Sequence, residues 1–346
     1  MPIQSQYDVI IIGAGPGGLS CAATLAASNL SVLLIDRKKE IGPKPCGGLM
    51  TSRGFSLLKG ACSSVSTQTV SLHLGKRTQE VPLGKRPLHV IDRTALAKAL
   101  LNRIQGSANI TLRTGTPVAA ISEKEISIGN EHISCRYLVG ADGANSLTRR
   151  YLGIPTRARG LGFHYRLPTS QKADIDLSAI HIFLDRNRFG PWYAWVLPNP
   201  SFVSLGTGGD ASVFPMGKLR KHFDRFVASL GIDPSTAPFE AGVISYDYQG
   251  LESGNCFLVG EAAGLVHGIT GEGIYPALIS GTEVGKKILD PHYKISIADI
   301  LRTKKAQDRL ARLLAQNGPL AGILHHAASL AVRLPSSRER VLSLLA

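Results

Sequence analysis

The sequence has no apolar run approaching the roughly 20 residues of a membrane-spanning helix, although 44% of its 346 residues are hydrophobic. This excludes a helical membrane protein and predicts one that is soluble or rests on a membrane surface. Met1 to Gln6 carry no basic, apolar leader, so no secretory signal is read there. Cysteine is scarce: Cys21, Cys46, Cys62, Cys135 and Cys256 are odd in number and lack CxxC or metal-ligand spacing. A disulfide framework and a cysteine-held metal are set aside, and a reducing cytoplasm is the expected compartment. Acidic residues are in deficit, 25 against 39 Lys and Arg, for a net charge of +14. Such a balance speaks for anionic partners rather than for a fold. At this length the chain can bury a sizeable core, as one large or two modest domains.

What the sequence does contain is a dinucleotide fingerprint. The apolar run Val9 to Ile12 leads into Gly13-Ala14-Gly15-Pro16-Gly17-Gly18, an alanine-rich stretch reaches Asn29, and a second apolar run, Leu30 to Ile35, ends on Asp36 and Arg37. The order is strand, glycine turn, helix, strand, acid. Gly13 makes the tight turn, Gly15 lets the backbone approach a pyrophosphate, and Gly18 lets the helix pack closely on the strand. The free N–H groups of the helix start face the phosphates, and Asp36 lies where an acid accepts a hydrogen bond from an adenosine ribose.

Two more apolar runs end on acids: Tyr137 to Ala141 on Asp142-Gly143, and Cys256 to Gly260 on Glu261. Thr270-Gly271-Glu272-Gly273-Ile274 opens a helix over Tyr275 to Leu289, and the free N–H groups of such a start attract negative charge. Two prolines and three glycines around Cys46 (Gly42-Pro43-Lys44-Pro45-Cys46-Gly47-Gly48) forbid regular structure, so Cys46 is expected on a shaped loop at the ligand edge of the sheet. The competing reading makes it a small apolar packing residue. Arg93, near the start of a helix running through Ile104, is either a surface charge or a phosphate or ribose contact. Thr67 to Pro82 reads as a hairpin, and Val118 to Ile121 with Glu125 to Ile128 as short strands of a small sheet.

From Pro155 to Tyr248 the texture changes to aromatic and β-branched residues at strand spacing, broken by a polar helix over Lys218 to Leu230. Gly206 to Ala211 is rejected as a second fingerprint, because no helix begins at once and no acid-ended strand follows. Its glycines are expected to leave room for a ligand or a close backbone. The chain divides into a discontinuous nucleotide-binding domain (1–66, 88–154 and 250–290), a substrate domain (67–87 and 155–249) and a C-terminal helical segment (291–346).

Three acid-ended strands and two glycine-rich helix starts in this order resemble the flavoproteins of the para-hydroxybenzoate hydroxylase superfamily. Within it, Pro45-Cys46-Gly47-Gly48, Tyr193-x-Trp195-x-Leu197-Pro198 with Gly206-x-Gly208, and Thr270-Gly271-Glu272-Gly273-Ile274 are similar to the geranylgeranyl reductase family. The resemblance spans roughly Tyr7 to Leu289. It implies an α/β fold in which a Rossmann-type FAD-binding domain carries an inserted antiparallel β-sheet substrate domain and a C-terminal helical tail. FAD would be held by Gly13 to Gly18, Asp36 and Arg37, by Cys46, Gly47, Gly48 and Arg93, by Val118, Asp142 and Gly143, and by Gly260, Glu261, Gly271, Gly273 and Ile274. Tyr193, Trp195, Pro198, Gly206 and Gly208 would line the substrate cavity.

The chemistry implied is saturation of isolated carbon–carbon double bonds in a polyprenyl chain, with Cys46 and Tyr193 as candidate proton donors. NAD(P)H or a ferredoxin would supply electrons, the nicotinamide without a domain of its own. Leu197 stands where the family has phenylalanine, Glu261 where it has aspartate, and Gly268 where it has proline, which implies a more mobile flavin loop. The competing readings are an FAD-dependent monooxygenase or halogenase acting on an aromatic or other small molecule, and a flavin-holding carrier. Tyr193 in place of the first Trp of the halogenase Trp-x-Trp-x-Ile-Pro segment argues against halogenation.

The tail carries much of the positive charge. Between Lys286 and Ala346 eleven basic residues face four acidic ones, half of the net charge. Leu310, Leu313 and Leu314 form an apolar stripe beside Arg302, Lys305, Arg309 and Arg312, and Pro319 to Val332 is uncharged but too short to span a bilayer. A cytoplasmic enzyme in peripheral contact with an anionic membrane is expected, with no nucleic-acid partner. The bland alternative is a solvated charged face over helices packed on the flavin domain.

Overall fold

The computed structural model describes residues 4–75, 77–123 and 125–315. Its central sheet grows from the strand Gln6–Ile12, whose Val9–Ile12 run is buried on both faces, as parallel strands covered on each side require. Val32–Ile35 pairs with it in parallel on one side and Glu131–Gly140 on the other. Ile110–Arg113 and Cys256–Leu258 extend the parallel order outward. Ile12 is level with Ile35 and Gly140, and Gly140 with Leu258. Gly13, Asp36, Asp142 and Gly260 therefore leave the sheet along one edge, the carboxyl edge where ligands of such sheets bind.

The helices Pro16–Leu25 and Ile274–Leu289 cover one face of this sheet and cross at backbone contact. A Cβ on Gly281 would lie 2.0 Å from the Gly17 carbonyl oxygen, and one on Gly285 2.7 Å from Thr24 Cβ. Residues four apart share a helix face, so these two glycines form the seam. Gly18 behaves as its fingerprint position demands: a Cβ there would sit 1.9 Å from Gly13 O.

A second, seven-stranded sheet runs in the order Phe239–Ser245, Arg159–Leu167, Val203–Gly209, Ala194–Pro198, His181–Leu184, Thr69–Leu74, Arg77–Pro82. It is antiparallel except where His181–Leu184 meets the hairpin strand Thr69–Leu74 in parallel. All of its strands fall within residues 67–87 and 155–249. The helix Met216–Ala228 backs it, burying Leu219, Phe223, Phe226 and Val227 against Phe163, Tyr165, Val196 and Leu205. A small third sheet joins Leu49–Thr51, Leu88–Ile91 and Ser64–Thr67.

Two elements differ from the sequence expectation, and the tail helix takes the packed arrangement of the second of its two readings. Ala120–Ser122 and Glu125–Ile128 do not form a separate small sheet, because Glu125–Ile128 pairs back onto Glu131–Gly140 and extends the central one. The helix after Asp92 ends at Leu101 rather than running through Ile104, and Ile104 is buried in the turn that follows. The helix Ala298–Ala315 turns one side inward: Ile300, Lys304, Gln307, Ala311 and Leu314 are buried. Arg302, Lys305, Arg309 and Arg312 are exposed on the opposite side. Pro319 to Val332 and the basic residues beyond lie outside the described residues. Among those described, no helix is long and apolar enough to cross a membrane.

Candidate active site

The carboxyl edge of the central sheet opens into a cavity of about 2110 Å³ that continues beneath the second sheet. A small-ligand site occupies roughly 300–1,000 Å³, so this space accommodates a dinucleotide and a second ligand together.

At the nucleotide end, Gly13 has φ +105°, and a Cβ there would come within 2.3 Å of Ala141 O, so only glycine makes this turn. A Cβ on Gly15 would meet nothing within 4 Å, leaving the backbone open to the cavity. Pro16 begins the helix and Gly15 precedes it in extended conformation without a side-chain cap. The first N–H groups of the helix are thus left for a ligand. Asp36 accepts hydrogen bonds from Ala14 N (2.7 Å) and Lys38 N (2.8 Å), which holds its carboxylate at the cavity wall. Arg37 is exposed beside it.

Two groups further along have buried polar atoms with no hydrogen-bond partner among the described residues, Arg93 Nε and Asp142 Oδ1. Asp142 Oδ2 is spent on Leu147 N (2.7 Å) and Thr148 N (3.1 Å). Orphaned buried polar atoms carry a desolvation cost of about 1–3 kcal/mol each, and both residues line the cavity where a ligand would relieve it. Val118 and Gly143 complete this stretch of wall. The uncapped helix start, the open backbone at Gly15, the Asp36 carboxylate and the two orphaned atoms all fit an FAD molecule.

Cys46 is half-buried on the loop between Gly42 and Gly48, its Sγ accepting from Gly48 N at 3.4 Å. Gly48 has φ +78° and seats against Ile91 O, where a Cβ would lie at 2.2 Å. A Cβ on Gly47 would meet Leu197 Cδ1 at 2.6 Å, so this loop is pressed onto the aromatic strand. Across the cavity Glu261 pairs with Lys44 and accepts from Ser245 N at 3.3 Å. Lys44, absent from the sequence expectation, thereby spans from the Cys46 loop to the third acid-ended strand.

The second glycine-rich helix start lies opposite. Gly273 precedes Ile274–Leu289, again without a side-chain cap, and Gly271 takes φ +67°. The loop leading to it is fastened from two sides. Trp192 Nε1 donates to Gly268 O (3.1 Å) and Tyr193 Oη to Thr270 O (2.7 Å). From the helix Ala298–Ala315, Lys304 Nζ donates to Val266 O (2.8 Å), Asp308 Oδ1 accepts from Gly268 N (3.1 Å), and Gln307 Oε1 accepts from Thr270 N (3.1 Å). The expected looser loop is thus corrected: a proline at position 268 could not make the bond to Asp308, and Gly268 exchanges ring stiffness for a tether.

The cavity's far arm is apolar, walled by Val70, Leu72, Ile180, Ile182 and Leu197. Tyr193, Trp195 and Gly208 line it, as expected. Pro198 and Gly206 do not. Pro198 is buried at the strand end, and Gly206 faces Trp195 across the ladder, where a Cβ would lie 2.4 Å from the indole Cζ2. The room Gly206 leaves is filled by a side chain rather than a ligand. Burial, and then Glu272, push the Tyr193 phenol well above its ordinary pKa. With its proton committed to Thr270 O, Tyr193 is a poor proton donor.

A two-layer flavin fold with its dinucleotide cleft at the carboxyl edge of a parallel sheet defines the class, and the chain belongs to the FAD binding domain family, which matches residues 6–179. It is an FAD-dependent oxidoreductase. Among its relatives, a geranylgeranyl diphosphate reductase of Rhodobacter capsulatus is 26% identical, over 98% of this chain and 88% of that one. A digeranylgeranylglycerophospholipid reductase of Methanospirillum hungatei is 27% identical over 83% and 78%. Among solved structures, a geranylgeranyl bacteriochlorophyll reductase-like protein of Thermoplasma acidophilum superposes with TM-score 0.72 at 19% identity, covering 98% of this chain and 99% of that one. The p-nitrophenol 4-monooxygenase of Pseudomonas putida gives TM-score 0.74 at 14% identity over 99% of each. These two likenesses establish a shared fold.

Proposed function

We propose that this oxidoreductase saturates isolated carbon–carbon double bonds of a polyprenyl lipid. The observation that carries the reading is the apolar arm of the cavity, continuous with the FAD cleft and walled by aliphatic side chains of the second sheet. A long hydrocarbon gains roughly 25 cal/mol for each Å² it buries in such an arm. The names of the two reductase relatives support the same substrate class.

Bound FAD supplies a hydride once reduced. The protein's own part is to hold the cofactor through the Gly13–Gly18 turn, Asp36, Arg93, Asp142 and the Gly273 helix start, to exclude water with the aliphatic wall, and to orient the chain. An alkene without a neighbouring carbonyl is a weak hydride acceptor, so positioning and a placed proton donor carry the rate. Cys46, on the loop pressed against Leu197, borders the double bond in this reading.

Anaerobic incubation of the reduced protein with a geranylgeranyl-type lipid is expected to yield product heavier by two hydrogens per bond. Product formed only with oxygen and an aromatic substrate would instead favour the monooxygenase or halogenase reading. The exposed basic residues Arg302, Lys305, Arg309 and Arg312 would bring the cavity to an anionic bilayer, at about 1 kcal/mol per basic residue near the surface. Binding to anionic vesicles that weakens with salt tests that docking, and equal partition onto neutral vesicles would remove its electrostatic part.

A further inference from the structure

The loop that reaches the Gly273 helix start has its backbone fastened by Trp192, Tyr193, Lys304, Gln307 and Asp308, yet two of its side chains carry buried polar atoms without hydrogen-bond partners among the described residues. They are His267, with both ring nitrogens, and Glu272, with Oε2. Both border the cavity. Their side chains are 2% and 8% exposed, and His267 Nδ1 lies 3.4 Å from Glu272 Oε2. Backbone bonds from His267 N to Glu272 O (3.0 Å) and from Gly271 N to His267 O (3.0 Å) fold the loop so that the two side chains meet.

An imidazole and a carboxylate oxygen buried side by side carry a desolvation cost that a proton held between them offsets. The remaining titratable and charged groups around them do not compete for that proton. Tyr193 is bonded to Thr270 O, while Lys304 and Asp308 pair with each other behind the loop. Tyr275 lies next to Arg53, and Thr51 Oγ1 reaches Glu272 Oε1 at 3.5 Å.

We infer that the His267–Glu272 pair is the proton source for alkene reduction, an assignment that rests on the reductase reading above. In the step, the π bond of the alkene breaks. One carbon would take the hydride, with its two electrons, that bound reduced FAD would supply, the FAD being oxidised in supplying it. The adjacent carbon receives the proton from the imidazolium of His267, which becomes neutral imidazole beside the Glu272 carboxylate. Water reloads the pair before the next turnover. General acid catalysis of this kind contributes about 10²–10⁴-fold.

The test is a single turnover: the holoprotein is photoreduced without oxygen and mixed with a geranylgeranyl-type lipid, and the return of the oxidised-flavin spectrum is timed. His267→Gln and the isosteric Glu272→Gln are expected to bind FAD and lipid as the parent does and to reoxidise at least about 10²-fold more slowly. A measurement that needs no lipid and no active variant accompanies it. The ¹⁵N shifts of the His267 ring in the resting holoprotein are expected to show both nitrogens protonated, and Glu272→Gln to alter them. Variants that reoxidise at the parent's rate, or a ring whose shifts do not respond to Glu272→Gln, would overturn the assignment. A parent protein that no polyprenyl lipid reoxidises would overturn the reductase reading and the assignment with it, whereas an active parent with undiminished variants removes the assignment alone.

Discussion

Replacing Lys304 with methionine probes how the tail helix holds the flavin loop. The side chain is 3% exposed, and its ammonium donates to Tyr246 O (2.6 Å) and Val266 O (2.8 Å) and pairs with Asp308 Oδ2 at 2.9 Å. Burial pushes the Lys304 pKa down, and Asp308 opposes that shift. Methionine keeps the aliphatic stem but strands two carbonyls and a carboxylate. Removing one member of a buried pair costs about 3–5 kcal/mol. The observable loss is capped, because the helix Ala298–Ala315 can undock without the sheets unfolding.

The expected outcome of Lys304→Met is therefore local. Tryptic cleavage at Arg302, Lys305, Arg309 and Arg312 accelerates, and FAD dissociates faster because the loop before Gly273 loses its tether. Asp308→Asn keeps an acceptor for Gly268 N–H while removing the charge. Combined with Lys304→Met it should restore part of the loss, since replacing both members of a buried pair is often near neutral. Coupling in the double-mutant cycle should exceed the roughly 0.3–0.5 kcal/mol scatter of independent sites. Additive effects, or an FAD release rate equal to the parent's, would refute the clamp.

Three other outcomes follow from the same geometry. Asp36→Ala removes the acceptor of Ala14 N–H, and since hydrogen bonds to charged groups contribute about 1.5–3 kcal/mol, FAD affinity by titration should fall about tenfold to a hundredfold; unchanged affinity would place the carboxylate outside the site. Cys46→Ala should keep FAD and reduce alkene turnover less than His267→Gln does, and a larger loss would move the proton to the thiol. For Glu283, burial alone would raise the carboxyl pKa, but hydrogen bonds from Lys286, Ser296 N and Tyr293 outweigh it and leave it lowered. A lowered carboxyl stabilises the folded state above its unfolded pKa and loses that contribution as pH falls through the folded value. Denaturant unfolding across the acid range should therefore show a flatter pH dependence in Glu283→Gln.

How much of this was legible in the chain depends on distance along it. Tyr7 to Asp36 could be read in full, since turn, helix start and acid are set by residues within thirty positions and a single register. The hairpin Thr69–Leu74 with Arg77–Pro82 was equally local, but its parallel docking on His181–Leu184 joins segments a hundred residues apart, and no local pattern encodes that. A glycine in a strand signals close approach, of a ligand or of a backbone, without saying which; at Gly206 the approaching group is the Trp195 side chain, directly opposite in the ladder. Lys304 was hidden by its company in a basic helix. The spacing Ile300, Lys304, Gln307, Ala311, Leu314 traces one face, and counting it would have put the lysine on the inner side. His267 carried no signal beyond its place between two glycine motifs.

That inner face changes the meaning of the tail. Over its 18 residues, about 27 Å at 1.5 Å per residue, the helix Ala298–Ala315 exposes four basic side chains outward and sends Lys304, Gln307 and Asp308 to the flavin loop. Leu310 and Leu314 line the cavity. Had the leucine stripe faced a bilayer, the cavity would lose part of its apolar wall and the loop its tether. The two sides are therefore separable by mutation. Charge reversal at Arg302 and Arg309 on the outer face should weaken vesicle binding while FAD is retained, and Lys304→Met should release FAD while the outward charge is untouched. Loss of FAD on reversing Arg302 and Arg309 would mean that the helix is held by its outer face, contrary to the inward bonds of Lys304 and Asp308.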